Sequence, residues 1–349
     1  MIILLIIIAI VVAIFALLED YIEEYKWYIY AAIGIVLIIL PTTKTLGFDH
    51  DSLNYQNAFT YYDDPLYELS YEFSYLWISK YVNLLTTDVH TVFFIYAMLG
   101  VIIKMHAMRL FGTSLFLALM VYISNHYLVM ELTQIRAGVA AAFFLLAIYY
   151  IIQQKKVLAF TLILCATFFH YSSVILFFIL FLNNKELSTY TKYILIGGIP
   201  LCYILYFMNF NPLTTIPIPY ISSKLEIYTS LTESGITDMD QINVFNLVFL
   251  VKILIFIYLT FFYEVINESG KNISLLLKIE ALSIYSFILF ASIPAIAFRI
   301  SDLLGIVDIL LFPHIYYTIK QTIPAKLIVV TIAFAFLLIN IFYIKLFEI

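Results

Sequence analysis

Apolar runs of bilayer-spanning length recur along the whole of this chain, and no soluble domain, low-complexity tract or internal repeat interrupts them. A spanning α-helix needs about 20 mostly apolar residues, because each adds ~1.5 Å against a hydrocarbon core ~30 Å thick. Counted on that basis there are about twelve segments, at residues 2–18, 27–40, 90–107, 113–131, 135–152, 157–168, 171–182, 193–210, 243–263, 274–293, 302–318 and 327–346. Charged residues are 12% of the chain and hydrophobic ones 64%, too little charge to coat a soluble globule of 349 residues. The sequence therefore predicts an all-α, polytopic integral membrane protein, a single transmembrane domain over 1–349. A formal charge of −5 without any run of lysine or arginine gives no support for nucleic acid as a partner. Cys165 and Cys202 both lie inside apolar runs, which argues against a disulfide framework. Residues 1–18 lack a basic leader and a small-residue cleavage site, so they read as a retained helix rather than a signal peptide.

Basic residues collect in cytoplasmic loops, and this sets an orientation. One alternation puts Lys26, Lys104 with Arg109, Lys155 with Lys156, Lys185 with Lys192, Lys271 with Lys278, and Lys320 with Lys326 on one side. The two longest polar stretches, 41–89 and 211–242, then become external loops. In the first of them Asp49, Asp51, Asp63, Asp64, Glu68, Glu72 and Asp88 outnumber Lys44 and Lys80. The run from Val157 to Leu182 is flanked by lysines on both sides, so both ends favour the cytoplasm. It predicts a hairpin of two short helical legs, each about 18 Å long, turning near Phe169, His170 and Tyr171 within the membrane depth. The alternative is one tilted helix carrying a satisfied core histidine.

Ionisable groups in spanning segments cost about 2.5–3.5 kcal/mol at the helix centre on insertion scales, so they usually face a cavity and serve a function. The chain has three arginines; Arg136 opens an apolar run, Arg299 closes another, and His170 splits a third. Both arginines fall at the external leaflet in this orientation, where paired guanidinium charges suit a phosphate-bearing lipid. The plainer readings are that Arg136 snorkels to the headgroups and pairs with Glu131, and that Asp302, three residues on, neutralises Arg299. Asp308 and His314 are further polar groups in the last-but-one run, with no role assigned. In the first external loop, Asp49 and Asp51 flank His50, a grouping that suits either a divalent ion or plain solvation; no metal ligand and no cofactor is assigned. No nucleotide-binding, zinc-protease or serine-hydrolase motif is present.

Five local patterns occur in order: Gly47-Phe48-Asp49-His50-Asp51 with Tyr55 and Phe59; Glu72; Leu132-Thr133-Gln134-Ile135-Arg136; Phe169-His170-Tyr171-Ser172; and Phe298-Arg299-Ile300-Ser301-Asp302. Together, over most of the chain, they resemble the EpsG family of Wzy-type polysaccharide polymerases. Two positions depart from the family pattern: Ala137 stands where glutamine often follows the arginine, and Lys44 where an arginine often precedes the glycine–acid loop. The resemblance implies a GT-C-like membrane glycosyltransferase of the bacterial inner membrane, acting at its periplasmic or outer face without a metal. It would move a growing glycan from undecaprenyl diphosphate to a lipid-linked oligosaccharide repeat unit, with the bilayer and a chain-length regulator protein as further partners. In that chemistry Arg136 and Arg299 would stabilise the departing diphosphate and His170 would be the general base. Asp49, Asp51, Tyr55, Glu72, Gln134 and Tyr171 would bind substrate, with Asp51 or Glu72 held in reserve as the base and Tyr55, Gln134 and Tyr171 orienting sugar or phosphate. The alternatives are a GT-C transferase using a lipid-monophosphate sugar, which makes Asp49 and Asp51 central, and a flippase for the same lipid-linked oligosaccharide. A flippase commonly shows repeated halves, and none are visible.

Overall fold

The computed structural model describes residues 1–112, 114–210, 212 and 242–347. Among these residues the secondary structure is helical, apart from one isolated antiparallel bridge between Asp49 and Phe347. The expected external loop 211–242 lies almost wholly outside the described residues. Contacts gather the chain into two compact units, Met1–Asn183 with Ile306–Ile349, and Asn184–Gly305.

The first unit begins with α1 (Ile2–Leu18) and α2 (Lys26–Thr42). The 41–89 stretch is not an extended loop but holds three short helices, α3 (Ser52–Thr60), α4 (Pro65–Ser70) and α5 (Phe73–Asn83). After it come α6 (His90–Phe111) and α7 (Leu115–Val121), the latter running on as a π-helix over Tyr122–Glu131. Next are α8 (Ile135–Ile152), α9 (Lys156–Phe169) and a 3₁₀ helix over Tyr171–Phe181. The second unit holds α10 (Thr189–Phe207), α11 (Leu247–Phe261), α12 (Tyr263–Glu268), α13 (Ser274–Leu289) and α14 (Pro294–Gly305). The chain then returns to the first unit with α15 (Asp308–Leu311), a 3₁₀ helix over Phe312–Thr318, and α16 (Thr322–Leu338).

Among the described residues, five helices are long and apolar enough to cross a membrane: Ile2–Tyr21, His90–Phe111, Ile135–Ile152, Thr189–Phe207 and Thr322–Tyr343. Most of the other runs do form helices, but shorter ones than a ~30 Å core asks of a single helix. The expected 302–318 segment shows why, since it is interrupted after Gly305 and again where Phe312–Thr318 winds as a 3₁₀ helix with Pro313 in its first turn.

The break at His170 takes the form of a hairpin rather than one tilted helix. His170 has extended backbone angles (φ −151°, ψ 113°), which end α9; its carbonyl then accepts from the Ser173 N–H at 2.9 Å to start the 3₁₀ leg. Fourteen residues at ~1.5 Å and eleven at ~2.0 Å give legs of nearly equal length, about 21–22 Å. They pack on each other, with the Phe160 and Phe177 rings 5.2 Å apart.

Within the first unit α8 lies against both α6 and α9, and α2 packs on α6. The short helices α3 and α5 each present one apolar face at i, i+4 and i+7 spacing: Tyr55 with Phe59, and Tyr75 with Val82. These side chains share one buried cluster with Phe93 and Tyr96 of α6 and Ile135 and Val139 of α8, against which Phe169 also packs. Full burial of each such side chain is worth about 1.5–3 kcal/mol, so α3 and α5 are fastened to the transmembrane helices. The second unit centres on α13, which contacts α10, α11 and α14; Ser283 on α13 donates to the Ser301 carbonyl at 2.8 Å.

Three lysines correct the sequence reading of basic residues as loop charges. Lys104 lies inside α6, fully buried, and its ammonium donates to Glu131 and to the Gly138 carbonyl at 2.6 Å. Because Glu131 takes Lys104, it is not the partner of Arg136. Lys44 is likewise fully buried, 2.7 Å from Asp49 and 2.5 Å from the Leu132 carbonyl. Lys326 is buried too, paired with Asp20 at 2.7 Å.

Candidate active site

Glu72 is the hub of a charged cluster in the first unit. It precedes α5 with extended angles (φ −67°, ψ 146°), and its carbonyl accepts from the Tyr75 N–H at 3.0 Å, so its side chain is fixed at a helix start. One carboxylate oxygen accepts from Nη1 of Arg136, and the other lies 2.9 Å from Nδ1 of His170. Arg136 is the second residue of α8, and His170 occupies the hairpin turn. Three separate elements thus converge on one carboxylate, and the three side chains are only 7%, 20% and 12% exposed.

Aromatic rings complete the arginine's surroundings. Its guanidinium carbon lies 4.5 Å from the centre of the Tyr71 ring and 5.5 Å from that of Tyr55, and its Nε reaches the Tyr55 hydroxyl at 3.5 Å. Cation–π contacts of this kind contribute about 0.5–2 kcal/mol each and hold the plane of the guanidinium. Tyr71 is set by its own hydroxyl, which donates to the Asn54 carbonyl at 3.0 Å; Tyr75 donates to the Tyr55 carbonyl at 2.7 Å. Burial pushes the Tyr55 hydroxyl up to about 12 against the pull of Arg136, so at neutral pH it is a neutral donor and acceptor.

Asp51 and Asp49 divide sharply. Asp49 is fully buried, and Oδ2 faces Lys44. Its Oδ1 accepts from the backbone N–H groups of Asp51 and Ser52 at 3.1 and 3.0 Å, an Asx-type cap that starts α3. His50 is exposed, so the expected acid–histidine–acid grouping does not close on itself; among the described residues no three His, Cys, Asp or Glu side chains are gathered for a metal. Asp51 is half-buried. Burial first, and Asp49 second, push its carboxyl up, while Arg136 among others pulls it down, which places it within the field of the cluster. A carboxyl raised on folding stabilises the fold while protonated and loses that contribution as pH rises through its folded value. Asp51→Asn is therefore expected to raise the melting temperature of the detergent-solubilised protein at neutral pH and to match the native chain in acid. Equal melting curves at both pH values would remove burial as the cause.

The remaining sequence candidates fall out as follows. Tyr171 follows His170 and is 53% exposed; its hydroxyl accepts from the Phe73 N–H at 3.2 Å, beside Glu72. Gln134 immediately precedes α8, half-buried, and its side chain makes no cap bond. Arg299 belongs to the second unit, on α14, where it is exposed. The structure thus brings Arg136, Glu72, His170, Tyr55 and Asp51 together, with Tyr171 adjoining and Asp49 behind. Sequence reasoning missed Tyr71, whose only signal was its position next to Glu72. It also missed the support that two lysines give the turn carrying Arg136. Lys44 holds Leu132, while Lys104 holds Glu131 and Gly138. Glycine at 138 is required there, since a Cβ would lie 2.9 Å from the Met130 carbonyl oxygen.

A family model for the EpsG family matches residues 26–348, nearly the whole chain and every residue of the cluster. The chain belongs to the EpsG family. That family is Wzy-like, and EpsG membership points to polysaccharide-polymerase-type, glycosyltransferase-like activity and, with the apolar helices, to a membrane protein. No curated protein and no solved structure matches the chain significantly.

Proposed function

We propose that this EpsG-family protein elongates a polysaccharide by transferring a growing glycan from undecaprenyl diphosphate to a lipid-linked oligosaccharide repeat unit. The reaction takes place at the outer face of the bacterial cytoplasmic membrane, without a metal. The observation that carries this reading is the Glu72 carboxylate shared by Arg136 and His170. With Nδ1 donating to Glu72, Nε2 of His170 is the basic nitrogen. The acceptor hydroxyl would pass its proton to Nε2 as its oxygen bonds to the anomeric carbon, while the anomeric C–O bond to diphosphate breaks and its electron pair leaves with the phosphate. Negative charge grows on that phosphate in the transition state, where a preorganised cation helps most. Arg136 spends one donor on Glu72 and turns Nε to Tyr55, so Nη2 and the second Nη1 proton are left for phosphate oxygens. No external energy source is needed, because the diphosphate ester is already activated.

Arg299 enters this proposal through its sequence motif and its exposed guanidinium. Asp51, Tyr55, Gln134 and Tyr171 are assigned to sugar or phosphate contacts. Asp49 is assigned to holding the turn that carries Asp51 and leads into α3 with Tyr55, since its carboxylate is taken by Lys44 and by the start of α3. The orientation still follows from Lys26, Arg109, Lys155, Lys156 and the basic residues of the second unit once Lys104 and Lys326 are set aside. The 41–89 helices are then external, and a chain-length regulator is a further partner. The test is to supply purified protein with undecaprenyl-diphosphate-linked repeat units and resolve the products by size. A ladder is expected. Arg136→Ala is expected to lower its rate by at least ~10²-fold, the usual cost of losing one oxyanion-stabilising group, and His170→Ala to act similarly. A native-rate ladder from either variant overturns the assignment of that residue, and the absence of any ladder overturns the reaction.

A further inference from the structure

Beside the charged cluster, and within the first unit, runs an open groove of about 450 Å³. Its walls are the aromatic rings of Tyr62, Tyr71, Phe73, Trp77 and Tyr171, with Asp63 and Lys80 as polar side chains in the lining. That volume falls within the ~300–1,000 Å³ of small-molecule sites. Two of its rings are already parts of the cluster's frame. Tyr71 lies under the Arg136 guanidinium, and Tyr171 follows His170 in the chain.

We propose that this groove is a carbohydrate subsite, holding a pyranose ring of the glycan next to the bond that reacts. The proposal rests on the glycan-polymerase reading above and names where its sugar sits. Phe73 and Trp77, one helical turn apart on α5, stack with their planes at 26° and centroids 5.8 Å apart. They remain 54% and 48% exposed, so a broad aromatic surface is left uncovered. A pyranose has an apolar C–H face that suits such a surface and a rim of hydroxyls that needs donors and acceptors, which Lys80 and Asp63 provide. Phe168 meets Phe73 edge-on at 5.5 Å, and the Phe73 N–H holds the Tyr171 hydroxyl, so the surface is preorganised from behind and from one side. An isoprenoid chain is the competing occupant. It would desolvate the charged Asp63 and Lys80 without replacing their hydrogen bonds, which is more costly for ionised groups than for neutral polar ones.

Trp77 is one of two tryptophans, so in a Trp27→Phe background it is the sole indole reporter. Trp27 lies against Arg109, outside this groove. The probes are the water-soluble oligosaccharide released by mild acid from the lipid-linked repeat unit, and sugar-free undecaprenyl diphosphate. The oligosaccharide is expected to change Trp77 emission saturably. Tyr171→Ala should weaken that binding at least tenfold, because the groove loses one of its aromatic walls. Undecaprenyl diphosphate alone should leave the emission unchanged. A flat response to the oligosaccharide, or an equal response to the sugar-free lipid, overturns the subsite. The two readings fail separately: a ladder of products with a silent Trp77 removes the subsite alone, and a responsive Trp77 without a ladder removes the polymerase and leaves a glycan-binding groove.

Discussion

Glu72→Gln is expected to slow chain elongation by ~10²–10⁴-fold, the range that a positioned general base contributes, while the protein stays folded in detergent. Both oxygens of the carboxylate are engaged, one by Arg136 and one by His170, so the proposed reaction uses Glu72 to orient the base rather than as the base itself. An amide cannot satisfy both partners. If its carbonyl faces His170, its NH₂ meets the guanidinium, donor against donor. If it flips, the NH₂ meets Nδ1, which must then become the acceptor, and the proton moves to Nε2, the nitrogen needed to take the acceptor's proton. Glu72→Asp keeps the charge with one methylene fewer and is expected to lose less. The measurement is the initial rate of ladder formation by purified variants, with size-exclusion elution as the check on folding. A native rate in Glu72→Gln would reduce the carboxylate to a structural pair and leave His170 without an orienting partner.

Which parts of this arrangement a reader of the sequence could reach depends on how far each contact spans. Arg136 and His170 were legible because a charge or an imidazole inside an apolar run stands out locally, and the flanking lysines of 157–182 were enough to infer a turn at His170. Helix α8 runs over Ile135–Ile152, the limits its apolar run gives. The bridging role of Glu72 was not legible: 64 residues separate it from Arg136 and 98 from His170, and no periodicity reaches that far. Lys44 and Lys104 misled for a related reason. A lysine near the end of an apolar run reads as a loop charge, and only the fold reveals that Asp49 and Glu131 wait for them inside. Residues 41–89 looked like a solvated loop because their charges are numerous, yet Tyr55, Phe59, Tyr75 and Val82 carried the helical spacing that buries α3 and α5.

Lys104→Met is expected to destabilise the protein by about 3–5 kcal/mol, the usual result of stranding one member of a buried ion pair. Lys104 is 0% exposed and the side chain of Glu131 2%, so removing the ammonium leaves a carboxylate that neither water nor another cation reaches. Glycines make this closeness possible: a Cβ at residue 100 would come within 3.0 Å of the Glu131 carboxylate, and one at 138 within 3.4 Å. Glu131→Leu alone should cost a similar amount by stranding the ammonium. The double variant Lys104→Met/Glu131→Leu should recover most of the loss, because two apolar side chains of similar volume need no compensation. Thermal melts of the four detergent-solubilised proteins measure this as a cycle, and a Lys104→Met melt equal to the native one would sink it. Elongation rates separate stability from positioning. The pair fixes the segment from Glu131 to Gly138, and Arg136 projects from its middle. If packing alone aims Arg136, the double variant elongates at the native rate. If the Lys104 bond to the Gly138 carbonyl aims it, the double variant is stable and slow, and the ion pair is then a positioning device for the cation at the reacting phosphate.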